Sequence, residues 1–409
     1  MTGGLAHPAA GIAAVADQLS EQLAVPPPPG QGTPEGWQHQ SLARGAAGVA
    51  LLHGTRARAG LGSTGLAHAW LTLAAREEIS AGTGSGLWFG APAVAFSMAV
   101  SAPGRYPAAT QVLRQAVAGM TRARLQAAHD RISAAARPAL SEFDLVRGLT
   151  GLGACLLHCD PDPHLLRQVL RYLVRLTEPV PASDAAGTSA PGWWTGDSPG
   201  TLATTGGHSN NGMAHGITGA LALFGLTMRQ GITVPGQDEA IDRICAWLDA
   251  WRQPGTAGPW WPEWVTLPDL RDGQPSQAGP GRPSWCYGAV GITRALQLAA
   301  IARHDRARQA DAENALARCI SDPAQTARLS GPGLCHGWAG TTATAWHAAR
   351  DAADSRLHAA TAPLVLALAE SARGDHPYGL INGYAGAALT LHAISAQSPG
   401  PWAGCLLIT

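Results

Sequence analysis

Two kinds of apolar segment alternate along this chain. The first has no polar face: Gly148-Leu-Thr-Gly-Leu-Gly-Ala-Cys-Leu-Leu157 is small and apolar on every side, as a helix buried all round would be. The second is amphipathic. Between Glu239 and Trp251, residues Ile241, Ile244, Cys245, Leu248 and Trp251 recur at helical spacing and form one face. Leu166, Val169, Leu170, Leu173 and Leu176 do the same one unit earlier. Each wholly apolar segment opens on Gly-x-x-Gly, at Gly45/Gly48, Gly148/Gly151, Gly216/Gly219, Gly288/Gly291, Gly337/Gly340 and Gly383/Gly386. A degenerate copy, Phe89-Gly90-Ala-Pro-Ala93, fills the gap after the first. Seven units at intervals of roughly 45 to 70 residues are a repeat architecture. Buried and half-buried helices alternating seven times predict an all-α fold, an α/α toroid of seven inner and seven outer helices. The glycines are expected to let neighbouring backbones come close.

In such a toroid the inner helices run in parallel and their starts meet at one end. The residues just before each first glycine are Arg44, Phe89, Arg147, His215, Tyr287, His336 and Asn382, so a ring of mostly polar side chains is expected there. Cys286 and Cys335 share one offset, two residues before their glycines. The repeat therefore predicts that they approach each other. With His336 they make three protein ligands, one short of a closed tetrahedral zinc site, and an open position is the mark of catalytic rather than structural zinc.

Three regions depart from the repeat. Residues 1–40 begin with a predicted helix (Ile12, Val15, Leu19, Leu23) that stops before Pro26-Pro-Pro-Pro29. Long loops are expected at 183–212, with Trp193 and Trp194, and at 255–284, with Trp260, Trp261 and Trp264. Loops of that length are uncommon unless they do something, and a lid or peptide-binding wall competes here with plain packing by the tryptophans. Because the repeat runs almost end to end, one domain over residues 1–409 is expected.

Composition narrows the function classes. Lys+Arg and Asp+Glu both number 28, with no basic block, so nucleic acid and anionic membrane are poor partners. No apolar run reaches bilayer length, and Met1-Thr-Gly-Gly-Leu-Ala-His lacks the pattern of a signal peptide. Seven scattered cysteines fit free thiols in a reducing cytoplasm. Cys155, Cys159, Cys245, Cys319 and Cys405 read as small core hydrophobes, and His53, His158, His347 and His392 as structural.

The set Trp285-Cys286-Tyr287-Gly288, Cys335-His336-Gly337 and Ala214-His215-Gly216 resembles the lanthionine synthetase C family of lanthipeptide cyclases, whose sevenfold Gly-x-x-Gly spacing it also shares over nearly the whole chain. The resemblance implies a zinc enzyme that closes thioether rings by adding precursor-peptide cysteine thiols to dehydroalanine or dehydrobutyrine. It assigns the zinc to Cys286, Cys335 and His336, and further active-site positions to Asp144, His215, Arg282 and Tyr287. It also implies a dehydrated precursor peptide as substrate, a separate dehydratase and an exporter as partners. On the chemistry of the side chains, His215 suits proton transfer, Asp144 would orient it, and Arg282 or Tyr287 could serve an enolate oxygen. Three alternatives stay open: addition of glutathione or another free thiol to dehydroamino acids in proteins, a toroid glycosidase using Asp144 with Glu142 or Glu263, and a non-catalytic peptide scaffold.

Overall fold

The computed structural model describes residues 6–26, 36–181, 189–198 and 204–409. Residues 1–5, the prolines at 27–29 and parts of the first long loop lie outside the described residues. Fourteen helices carry the architecture. The first seven are α1 (Ala6–Gln22), α2 (Ala46–Arg58), α3 (Thr64–Ala74), α4 (Ala91–Ser101), α5 (Pro107–Ser133), α6 (Leu149–Cys159) and α7 (His164–Leu176). The rest are α8 (Ile217–Arg229), α9 (Gln237–Ala250), α10 (Ala289–Ala302), α11 (Arg306–Ser321), α12 (Trp338–Asp351), α13 (Arg356–Ser371) and α14 (Tyr384–Ser395).

Even-numbered helices are the inner ring. Each packs on the next, α2 on α4 through to α12 on α14, and α14 returns to α2, so the ring closes. Each inner helix also packs on the odd-numbered helix that follows it, and α14 packs on α1. The amino-terminal helix, which the pattern leaves outside the repeat, therefore fills the seventh outer place. Ring closure pairs residues from opposite ends of the chain, which no local periodicity reports. The outer helices bury the faces their spacing marks: Ile241, Ile244, Cys245 and Leu248 on α9, and Leu166, Val169, Leu170, Leu173 and Leu176 on α7. Among the described residues, no helix is long and apolar enough to cross a membrane.

The second glycine of the Gly-x-x-Gly motif lies first against its own entry turn. A Cβ on the second glycine would meet the carbonyl oxygen six residues earlier in its own chain: Leu42 for Gly48 (2.1 Å), Leu145 for Gly151 (2.2 Å), Trp285 for Gly291 (2.2 Å) and Leu334 for Gly340 (1.8 Å). The glycine thus lets each helix's entry turn fold back onto its own first turn. It also faces the neighbouring unit, as Gly48 does Leu380 (2.9 Å) and Gly291 does Met213 (3.0 Å), while the closest approaches of helix backbone to helix backbone fall to glycines deeper in the helices, such as Gly54 against Ser101 and Gly225 against Leu298 and Ala299.

These turns link to one another around the mouth of the toroid. Backbone amides donate to the next turn's carbonyl from Leu42 to Trp88 (3.1 Å), Leu145 to Ala214 (3.1 Å), Met213 to Cys286 (2.9 Å), Cys286 to Cys335 (3.2 Å), Cys335 to Ile381 (3.0 Å) and Ile381 to Ala43 (3.0 Å). Between the second and third turns the contact is a close backbone approach, Gly86 against Arg147. The belt converts the sequence register into a spatial one: equivalent positions of adjacent units become neighbours.

Four short strands, β1 (Val180–Pro181), β2 (Ser189–Ala190), β3 (His208–Asn210) and β4 (Trp264–Thr266), form two antiparallel ribbons. β3 pairs with β4, with Asn210 opposite Trp264, and so ties the two long loops together. Trp193, Trp194, Trp260 and Trp261 are buried; Trp193 Nε1 donates to Ser209 Oγ (2.8 Å) and Trp261 Nε1 to the Leu248 carbonyl (2.7 Å). Packing is what these four do.

Candidate metal and catalytic site

Cys286 and Cys335 stand on adjacent turns of the belt, joined by the amide of Cys286 and the carbonyl of Cys335. The ligand atoms of Cys286, Cys335 and His336 all lie within 4.8 Å of one another, and among the described residues this is the one group of metal-ligating side chains so arranged. Zinc bond lengths of about 2.3 Å to sulfur and about 2.0 Å to nitrogen place tetrahedral donors roughly 3.5 Å apart, so the spacing fits a single zinc ion, as does the two-thiol, one-imidazole donor set. Cys286 is buried, whereas Cys335 and His336 are half-buried, which leaves the open side toward solvent. The Cys286 thiol is held well below its ordinary pKa, chiefly by its hydrogen bond with Cys335 and against the effect of burial, with help from His336 and Ser284. Cys335 is pushed up in turn by its bond to the Cys286 anion and by burial. Metal binding needs both thiols deprotonated and so releases protons from the pair.

His215 precedes α8, one position nearer its glycine than the cysteines are to theirs. Its Nδ1–H donates to Asp144 Oδ2 at 2.7 Å. The other carboxylate oxygen of Asp144 accepts from the amides of Arg147 (2.6 Å) and Gly148 (2.8 Å), and the residue is 2% exposed. Both oxygens are therefore committed, and the imidazole is fixed with Nε2 free of any partner among the described residues. Asp144 sits four residues before its glycine, where the other units carry Ser41, Gly86, Gly212, Ser284, Gly333 and Gly379. The longer side chain at this one position is what reaches the next turn's histidine.

A cavity of about 610 Å³ joins these groups; His215, Arg282, Tyr287, Cys286, Cys335 and His336 all line it. Tyr287 Oη accepts from Asn210 Nδ2 (3.0 Å), its ring lies 6.4 Å from that of His215, and burial pushes its phenol up to about 12, so it stays a hydrogen donor at neutral pH. Arg282 is exposed on the rim, and its guanidinium has no hydrogen-bond partner among the described residues. Six of the seven residues assigned from the sequence thus meet around one space, and the seventh, Asp144, stands behind it and reaches it through His215. Of the polar ring, Arg44 and Asn382 also line it.

Glu263 joins the cavity too, with its carboxyl raised by burial and by the Cys286 anion, and lowered by Arg282. Sequence reasoning placed it only in the glycosidase alternative, because its approach depends on the β3–β4 ribbon. The intended carboxylate partner Glu142 lies elsewhere, bound to Arg131 (2.6 Å) and Tyr172 (2.8 Å). Trp264, beside Glu263, meets Tyr287 edge to face at 6.3 Å, so it is the one loop tryptophan in contact with a residue of the site.

A sequence model of the lanthionine synthetase C-like protein family matches residues 36–407. No curated relative matches the sequence. Among solved structures, nisin cyclase superposes with a TM-score of 0.71 at 15% identity, covering 98% of this chain and 98% of that one. The α/α toroid is shared with that enzyme, and the chain belongs to the lanthionine synthetase C-like family.

Proposed function

We propose that this protein is a zinc-dependent lanthipeptide cyclase, which closes lanthionine and methyllanthionine rings within a dehydrated precursor peptide. One observation carries the reading: Cys286, Cys335 and His336 face the same cavity as a histidine fixed by a buried carboxylate. Zinc, when held by those three side chains, supplies the Lewis acidity that favours the thiolate of an incoming cysteine, whose own pKa is near ~8.5. The remaining work falls to the chain. Attack of sulfur on the β-carbon forms the C–S bond and moves the alkene electron pair toward the carbonyl oxygen as an enolate. The α-carbon then takes a proton, nothing leaves, and the mass is unchanged. His215 Nε2 is suited to accept the thiol proton and return it at the α-carbon, because Nδ1 is already engaged. Asp144 is a positioning residue, since neither of its oxygens is open to substrate. The Tyr287 hydroxyl and Arg282 guanidinium are the donors available to the enolate oxygen.

The dehydroamino acids come from dehydration of Ser and Thr, so a dehydratase is part of this reading, as is the exporter that the family resemblance implies. Seven free cysteines suit a reducing cytoplasm. The test is to incubate zinc-loaded protein with a dehydrated peptide and then alkylate remaining thiols. Loss of alkylatable thiol at constant peptide mass is expected. Peptide thiols that stay alkylatable while added glutathione couples to the peptide would move the assignment to intermolecular thiol addition.

A further inference from the structure

The segment Pro401–Ile408 fills the centre of the inner ring. Residues Trp402 to Ile408 are all fully buried. Its lower part lies against the far ends of inner helices: a Cβ on Gly404 would meet the His158 ring of α6 at 2.0 Å, and Gly400 lies beside Thr55 of α2. Beyond Gly404 its carbonyls meet side chains of the unit that carries Cys286. The Leu406 carbonyl accepts from Trp285 Nε1 at 2.9 Å, and the Ile408 carbonyl accepts from Arg294 Nε (3.1 Å) and Nη2 (2.9 Å).

Trp285 immediately precedes Cys286. The equivalent positions in the other six units are Leu42, Leu87, Leu145, Met213, Leu334 and Leu380, all buried and none with a polar tip. Only the unit that carries the buried thiol has a donor there, and that donor is satisfied by the central segment. The backbone of Trp285 is clamped as well, since its carbonyl lies where a Cβ on Gly291 would be. Cys286 is thereby held from two sides: through its own backbone in the belt and through the indole beneath it.

We propose that Trp285 and the segment Pro401–Ile408 form a strut that positions Cys286 for metal binding; this rests on the metal reading above. Trp285 is a positioning residue, because it touches no reacting atom. Groups that orient metal ligands from behind are worth about 10- to 100-fold in metal affinity.

The test compares Trp285→Phe, which keeps an aromatic side chain but removes the N–H and part of the indole's volume, with Trp70→Phe, which removes the same. Trp70 is equally buried and donates its Nε1 to the Leu23 carbonyl at 2.9 Å, remote in sequence from the metal set. Zinc affinity by competition with a chelator, and the visible spectrum of the cobalt-substituted proteins, are the readouts. The strut predicts that Trp285→Phe binds zinc about 10-fold more weakly with an altered cobalt spectrum, while Trp70→Phe matches wild type in both. Equal behaviour of the two variants, or wild-type affinity in Trp285→Phe, overturns it. If Trp285→Phe does not fold, Gly404→Ala, which displaces the strut from its far end, is read by the same criteria. Wild-type protein that binds no zinc overturns the metal reading and the strut together, whereas zinc-binding wild type with an unchanged Trp285→Phe overturns the strut alone.

Discussion

Two polar clusters lie in this toroid, and they use their hydrogen-bonding capacity in opposite ways. In α10, Arg294 is wholly buried and each guanidinium nitrogen donates: Nε and Nη2 to the Ile408 carbonyl, Nη1 to Gln297 (2.5 Å) and Nη2 also to Asp351 (2.8 Å). Gln297 passes on to Glu313 and to the Ala348 carbonyl, both at 2.9 Å. At the mouth, His215 Nε2, the Arg282 guanidinium and the Glu263 carboxylate have no hydrogen-bond partner among the described residues, and all three residues line the cavity beside the metal-ligating set. Charge marks both clusters. What separates structure from chemistry here is capacity left uncommitted and turned toward an accessible space.

Breaking the committed cluster should remove stability first. Arg294→Leu leaves Asp351 with Arg229 alone and frees the Ile408 carbonyl; a loss of about 3–5 kcal/mol in urea unfolding is expected. A loss below about 1 kcal/mol would mean the buried network is not structural. At the mouth the larger change should appear in turnover. His215→Ala is expected to lower thioether formation by about 10²–10⁴-fold while the protein remains folded at 25 °C, as checked by circular dichroism beside the alkylation assay. Asp144→Asn keeps an oxygen for Nδ1–H but removes the charge, and a smaller fall of about 10- to 100-fold in kcat is expected. A larger effect from Asp144→Asn than from His215→Ala would reverse the roles assigned to them.

A further prediction concerns pH. Burial holds His158 near 4 and His347 near 3, below the ordinary 6.5. Both rings are therefore neutral in the native protein down to those values, while the unfolded chain takes up protons below about 6.5. Native stability is full above that pH and falls as pH drops from 6.5 toward 4, by up to about 1.4 kcal/mol per unit for each ring. Urea unfolding at pH 7 and pH 5 measures it, and His347→Gln should flatten the slope. An unchanged slope would place the pH sensitivity elsewhere.

Much of this was legible because the repeat keeps register. His215, Tyr287 and His336 share one offset, and Cys286 and Cys335 another, so the belt of hydrogen bonds makes neighbours of residues that the sequence spacing already aligned. Asp144 was reached through resemblance; its place where other units carry Gly or Ser is a signal present in the alignment of the repeats themselves. What escaped notice depends on contacts without a period. The closure of α1 onto α14, the pairing of β3 with β4, and hence the arrival of Glu263, join segments far apart in sequence. The glycines were read as helix–helix spacers because apolar context alone does not distinguish a neighbour's backbone from the chain's own entry turn.

The most direct measurement is zinc content of the purified protein beside Cys335→Ala, with thiols protected throughout. About one zinc per chain in the wild type, lost in the variant, is the result this account predicts for an open two-thiol, one-imidazole site. A wild-type protein that takes up no zinc, or a Cys335→Ala variant that holds it as tightly, would contradict the account.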